Sequence, residues 1–112
     1  GRYGERVVSA QENLLVVTKG DEPLGFSYGW VDKEVKVKLG WLQAIYVDPE
    51  HRGQGLSTKL VNGFSDFVLE NGLSQIGCQT YRGSSQHKLF LATGWIRLMD
   101  VVGGEVKLVK SI

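Results

Sequence analysis

Apolar and polar residues alternate along much of the first half of the chain. Asn13-Leu14-Leu15-Val16-Val17-Thr18-Lys19 is a short β-rich run, closed by the turn cluster Gly20-Asp21-Glu22-Pro23. Strict alternation follows. Leu24, Phe26, Tyr28 and Trp30 fall on one face, and Gly25, Ser27 and Gly29 on the other. That is a period-two strand with one large aromatic face and one nearly bare face, and the bare face invites close approach by another element. Asp32-Lys33 suits a hairpin turn. Val35, Val37, Leu39 and Trp41 then alternate with Lys36, Lys38 and Gly40, with the lysines on a solvated face, and the run continues through Leu42 to Val47. Polar residues thin out on both faces toward its end. The pattern predicts a strand half-exposed at its start and buried on both sides at its end, stopped by Asp48-Pro49.

The period changes after residue 55. Leu60, Val61, Phe64, Phe67 and Val68 recur at three- and four-residue spacing, which predicts an amphipathic helix from Leu56 to Asn71. Gly72 suits the left-handed cap that ends such a helix. Ile76 to Tyr81 reads as a strand. Ser84-Ser85 can cap a short helix that runs through Thr93 and is closed by Gly94. Trp95 to Val102 and Glu105 to Val109 are two strands joined around Gly103-Gly104. The order is β-β-β-α-β-α-β-β. It predicts an α/β (α+β) fold, one mixed sheet with helices packed on both faces, as a single domain over 1–112. Residues 1–12 show no period and form a poorly defined N-terminal segment.

Composition narrows the classes. The 112 residues are 42 % hydrophobic and 22 % charged, ordinary values for a globular domain. A net charge of +1 gives no support to nucleic acid as a partner. No apolar run approaches the roughly 18 residues a membrane span needs, and Gly1 to Arg6 lacks the apolar core of a signal peptide. The one cysteine, Cys78, can form neither an internal disulfide nor a cysteine-based metal site. A cytoplasmic protein without metal is expected.

The candidate chemistry lies between Val47 and Lys59. A strand stops at a proline, a loop His51-Arg52-Gly53-Gln54-Gly55-Leu56-Ser57 follows, and a helix begins. Glycines let the backbone take positive φ and approach a ligand. The first helical turn has unpaired N–H groups at the positive end of the dipole, and Arg52 adds a cation, so the segment is either a plain turn or an anion site. It is not a phosphate loop of the GK[ST] type, nor a dinucleotide fingerprint, because the third glycine is missing.

The wider pattern Leu42-x-x-Ile45-x-Val47-x-Pro49-x-x-Arg52-Gly53-x-Gly55 closely resembles motif A of the GCN5-related N-acetyltransferase superfamily. Gly94-Trp95, after a short helix and before two strands, resembles that family's Gly-Phe, and the element order from residue 13 to about 110 is similar too. The resemblance implies an acyl-CoA N-acyltransferase fold. It also implies acetyl-CoA as co-substrate, with backbone groups of Ile45 and Val47 meeting the pantetheine and acyl carbonyl. The backbone of Arg52, Gly53, Gln54, Gly55, Leu56 and Ser57 would surround the pyrophosphate. The implied reaction is direct attack of an amine on the thioester, mainly by positioning and carbonyl polarisation.

Departures bear on catalysis. Ser57 stands where the family has a glycine or alanine. Phe90 stands where the family often has a tyrosine acid, so that role is vacant. Trp41 and Gln43 occupy the stretch where some members place a glutamate base. About twelve residues precede the first strand, too few for the family's two N-terminal helices, which the resemblance therefore implies are shortened, missing or supplied by another segment or chain. Tyr81 and Tyr46 are the remaining candidate acids; Tyr81 reads first as a rim residue, and Tyr46 as either core or cleft. Cys78 reads as a small core residue before a nucleophile, and His87 as a surface residue before a base. His51 flanks the anion loop, and Trp30, Trp41 and Trp95 read as core or sheet-face packing. Three readings follow: an acetyl-CoA-dependent N-acetyltransferase acting on a small-molecule or peptide amine, a non-catalytic module of the same fold, and a generic phosphate-binding domain. Apolar surface left by the missing helices predicts a homodimer.

Overall fold

The alternating runs become strands and the three-to-four spacing becomes helix. A computed structural model describes residues 11–33, 36 and 38–112. The order is β1 (Gln11–Lys19), β2 (Glu22–Val31), β3 (Gly40–Val47), a 3-10 turn (Pro49–His51), α1 (Leu56–Glu70), β4 (Gln75–Tyr81), α2 (Ser85–Ala92), β5 (Ile96–Val101) and β6 (Glu105–Ser111). The end signals act as the sequence predicts. Gly72 takes φ 82° after α1, and the Ser84 side chain accepts from the His87 N–H at the start of α2. Among the described residues, no helix is long and apolar enough to cross a membrane.

Among the described residues the strands form one six-stranded mixed sheet in the order β1-β2-β3-β4-β6-β5. Of these six strands only β3 and β4 run parallel to each other, and they pair only over Gly40–Leu42 against Ile76–Cys78. A parallel pair needs a crossover connection, and α1 supplies it.

The bare face of β2 is the buried one. Gly25, Ser27, Gly29 and Val31 are all buried. A Cβ on Gly29 would lie 2.5 Å from the Phe64 ring, and one on Gly40 would lie 2.2 Å from a Val68 methyl. Small residues therefore let α1 sit directly on the strands. Phe64 and Val68 of α1 and Phe90 of α2 join Leu42, Cys78, Trp95 and Leu108 in one core cluster, so both helices share this face. The expected mixed sheet is present. Helices were expected on both faces, but among the described residues they cover one.

The opposite face carries the aromatics. Phe26 stands across from Tyr46 and Val16, and Trp30 across from Trp41. Leu14, Val16, Phe26 and Tyr46 are exposed there. Trp95 is core, while Trp30 and Trp41 are half-buried on the outer face.

Two expectations about the third strand are corrected. It starts at Gly40, so Lys36 and Lys38 lie outside it; the Lys38 ammonium donates to the Lys33 carbonyl at 2.9 Å. Val35 and Val37 lie outside the described residues. Nor is its end buried on both sides, for Ile45 is half-buried and Tyr46 is 48 % exposed. The physical reason is that β4 stops pairing after Leu42, so the rest of β3 faces open space.

The close approach at Gly40 is testable. Gly40→Ala should destabilise the protein by about 1–3 kcal/mol through overpacking, read as a lower urea midpoint. Adding Val68→Ala removes the methyl it strikes, so the double variant should lose less than the two singles together. Strict additivity would show that α1 does not lean on this glycine.

Candidate functional site

The site begins where β3 leaves β4. Tyr28 pairs with Ala44 and Gly29 with Leu42, so Gln43 is an extra residue, a bulge. A bulge bends its strand and sharpens the twist. Beyond it the two parallel strands diverge. The cleft between them measures about 210 Å³ and is lined by Leu42, Gln43, Ala44, Ile45, Cys78, Gln79, Gln86 and Phe90. None of these side chains is charged at neutral pH.

The loop sits at the end of the same strand. Asp48 turns the chain by accepting from the Glu50 N–H at 2.9 Å, and its own N–H donates to the Leu24 carbonyl at 2.7 Å. Gly53 and Gly55 both take φ 80°, where a side chain would be strained. Gly55 is the N-cap of α1 and offers no side-chain acceptor; the first turn of the helix holds no acidic residue. The first-turn N–H groups are therefore left for a ligand or water at the positive end of the dipole.

A cavity of about 370 Å³ opens over this turn, with Ile45, Val47, Arg52, Gly53, Gly55, Leu56 and Ser57 in its wall. These are seven of the eight cofactor-binding residues expected from the sequence. The eighth, Gln54, is exposed and outside that wall. The wall also contains Tyr46, His51, Thr58 and, from α2, Ser85, Gln86 and Leu89. Sequence reading missed Thr58 and the α2 residues. The only signal was the helix start at Ser84, which says nothing about which loop that helix faces.

Arg52 is tied back rather than free. Its Nε donates to the Val47 carbonyl at 3.0 Å, and its guanidinium carbon stands 5.8 Å from the Tyr46 ring centroid. The cation is thus held against the strand end beside the helix N-terminus. His51 lines the same cavity, and its Nδ1 is buried, 4.0 Å from an Asp48 carboxylate oxygen.

The other candidates separate. Tyr46 lines the loop cavity; Tyr81 is 64 % exposed and lines neither cavity. His87 accepts the Gly83 N–H at Nδ1, 2.9 Å away, so in the neutral ring the proton sits on Nε2. That leaves no free basic lone pair. Phe90 is buried against Trp95, with ring centroids 4.7 Å apart. Cys78 is 2 % exposed, and burial pushes its thiol up to about 12. It is a packed thiol, not a nucleophile.

Comparison with known proteins gives a consistent set of likenesses. The model of the acetyltransferase (GNAT) family matches residues 3–94. A thialysine N-ε-acetyltransferase of Bos taurus is 30 % identical over a stretch covering 62 % of this chain and 45 % of that protein. The chain thus spans less than half the length of that curated relative. The PaiA N-acetyltransferase of Thermoplasma acidophilum, solved in complex with coenzyme A, superposes with a TM-score of 0.77 at 15 % identity, over 90 % of this chain and 61 % of that one. A putative acyl-CoA N-acyltransferase of Klebsiella pneumoniae gives 0.78 at 19 % identity, over 89 % and 72 %.

The state of Cys78 has a measurable consequence. Alkylation by iodoacetamide at pH 8 should be on the order of 1,000-fold slower in the native protein than in urea, following the thiolate fraction. The sign for stability follows too. The unfolded chain releases the thiol proton near 9.0 and the native state keeps it to about 12, so Cys78 lowers stability as pH rises through that window. Fast native labelling would contradict both.

Proposed function

The chain belongs to the acetyltransferase (GNAT) family, and we propose that it moves an acetyl group from acetyl-CoA to a primary amine by direct attack on the thioester. The observation that carries this reading is the adjacency of two cavities, whose walls share Ile45 and Gln86. An acid-free helix N-terminus with Arg52 beside it opens into one cavity, and that cavity adjoins an uncharged cleft between diverging strands. An anionic head and a neutral arm fit this sequence of surfaces. The pyrophosphate would lie on the backbone of residues Arg52–Ser57, and the arm would run along Ile45 and Val47. The acceptor class is an amine on a small molecule or a peptide.

Catalysis in this reading rests on alignment and on polarising the acyl carbonyl. The amine nitrogen bonds to the acyl carbon and gives up one proton, the carbon–sulfur bond breaks, and the departing thiolate takes up a proton, so that amide and free thiol result. Phe90 has no proton to give, at a position where relatives often carry tyrosine. Of the two tyrosine candidates, Tyr46 adjoins the proposed cofactor cavity and Tyr81 does not. Phe90 also favours a second reading, a family member that binds CoA without turning it over.

Acetyl-CoA at about 1,000 times its dissociation constant should raise stability by roughly 4 kcal/mol, seen as a higher melting temperature. Gly55→Trp should abolish that shift. Thiol release with at least one member of a panel of amines supports the transferase; a shift without thiol release supports the non-catalytic reading. No shift at millimolar acetyl-CoA rejects both. Equal protection by inorganic phosphate would leave only a generic phosphate site.

A further inference from the structure

The strand cleft runs through the sheet. Leu42, Cys78 and Phe90 in its wall belong to the core cluster under the helices. Gln79 alternates with buried Cys78 and Thr80 on β4, so its side chain projects from the other face, and Gln43 is bonded to Trp41 on that same face. A ligand seated in the loop cavity reaches the cleft from the helix side, where that cavity meets α2. The mouth on the outer face is left for a second reactant.

This outer mouth is built around Trp41. Gly77 is its register partner on β4 and has no side chain; a Cβ there would lie 3.2 Å from the indole, so the ring rests across the bare strand. Trp41 Nε1 donates to Gln43 Oε1 at 2.8 Å. An indole N–H can only donate, so the amide oxygen of Gln43 must face it, and the amino end with its two donors is turned away. That amino end hydrogen-bonds to no described residue. Lys107 of β6 stands opposite Gln79 in the ladder, and its Nζ lies 5.8 Å from the Trp41 ring centroid. Among the described residues Lys107 forms no ion pair, not even with Glu105, its neighbour on the same face of β6. An ammonium held by an aromatic face keeps its charge available to an anion.

We propose that Lys107 and Gln43 set the acceptor specificity of this site, binding at the outer mouth a carboxylate carried by the incoming amine. The acceptor class is then an amine that also bears an acid group. This rests on the acetyl-transfer reading above and deepens it; the bonds made and broken stay the same. Three features select the chemistry. Both groups presented at the mouth are donors and one is a cation, so together they match a carboxylate and repel a polyamine. The cleft wall itself has no charged side chain, so an acid group on the acceptor gains its counter-charge at the mouth and not in the depth. A cation at the entrance also disfavours the protonated form of the amine, and only the neutral form can attack. Trp41 holds both donors without touching a reactant and is a positioning residue.

The test uses the full chain and follows thiol release from acetyl-CoA at a single pH. The acceptors are β-alanine, 4-aminobutanoate and 6-aminohexanoate, each compared with its amide and with the diamine of equal length. At one length or more, kcat/KM for the acid should exceed that for the amide about 3- to 10-fold, the worth of one charge-assisted hydrogen bond at a half-exposed site. The diamine should be poorer still. Lys107→Met keeps the stem and should bring the acid-to-amide ratio close to one through KM, whereas Lys107→Arg should keep most of it. Gln43→Glu leaves an oxygen for the indole but puts an anion at the mouth, so the ratio should fall and the diamine should gain. Trp41→Phe keeps a ring and loses the N–H, and should lower the ratio by less than Lys107→Met does. Peptides with glutamate or glutamine beside the amino terminus separate the source of the carboxylate. A glutamate peptide used better than every free amino acid assigns it to a peptide, and the reverse order to a small molecule. Equal use of acids and amides, a preference for diamines, or a ratio that Lys107→Met leaves unchanged overturns the assignment while the transferase reading stands. If no amine releases thiol, the transferase reading fails and this inference fails with it.

Discussion

The site depends on a parallel strand pair that stays together for only three residues on each side. A parallel pair that continued would close the sheet and bury the second half of β3 on both sides. Here the bulge at Gln43 turns β3 away, and the strand that emerges is lined by cavities instead of by a neighbour. Opening a sheet has a cost, because backbone groups on the β4-facing edge lose their ladder partners. Those same groups become the surface that a ligand can pair with. Splaying also places the end of β3 beside the N-terminus of α1, so one deformation provides both the cleft and the approach to the glycine turn at 53–55.

The deformation is tolerable because the helix layer lies close to the sheet. Gly29 and Gly40 remove the side chains that would hold α1 off, and Phe64 and Val68 fill the space. Gly63 does the same from the helix side, where a Cβ would come within 2.5 Å of Leu15. With α1 seated this firmly, its first turn has a defined position relative to β3. The loop between them needs only enough freedom to turn, and Gly53 and Gly55 give it through positive φ rather than through lack of room, since nothing lies within 4 Å of either position.

Much of this was legible in the sequence, for reasons tied to particular residues. The alternation in β2 predicts a bare face that accepts a close neighbour, and Gly29 under Phe64 is that contact. The α1 stripe, the Gly72 stop and the Ser84 cap follow from local rules with little competition from tertiary structure. The turn at the end of β3 was readable because it is a backbone feature, and the glycine spacing reports the positive φ that Gly53 and Gly55 take. Two things were not readable. The end of β3 looked like a doubly buried strand, because apolar residues line a ligand cleft as readily as they fill a core. The share of α2 in the site was invisible, because nothing in Ser85, Gln86 or Leu89 marks which loop they face. That is set by packing elsewhere, by Phe90 against Trp95 and the core cluster.

The distribution of charge then constrains how such a site works. Its cation and its helix dipole are at the mouth, around Arg52 and Gly55. The depth of the cleft has a phenyl ring at Phe90, a thiol at Cys78 kept protonated by burial, and amides that do not titrate. Recognition of an anion at the mouth is therefore screened by salt, whereas contacts in the cleft are not. A cationic amine that entered the cleft would shed its hydration with no described carboxylate in the wall to offset the loss. For the transfer proposed above, the arrangement would favour attack by an amine that is already neutral on arrival. In such a site the protein's contribution would be to hold an uncharged amine and an uncharged thioester end in line, and that task would fall to the rigid elements on either side of the split: β3, fixed by β2, and α2, fixed by the Thr80–Ser84 contacts to β4.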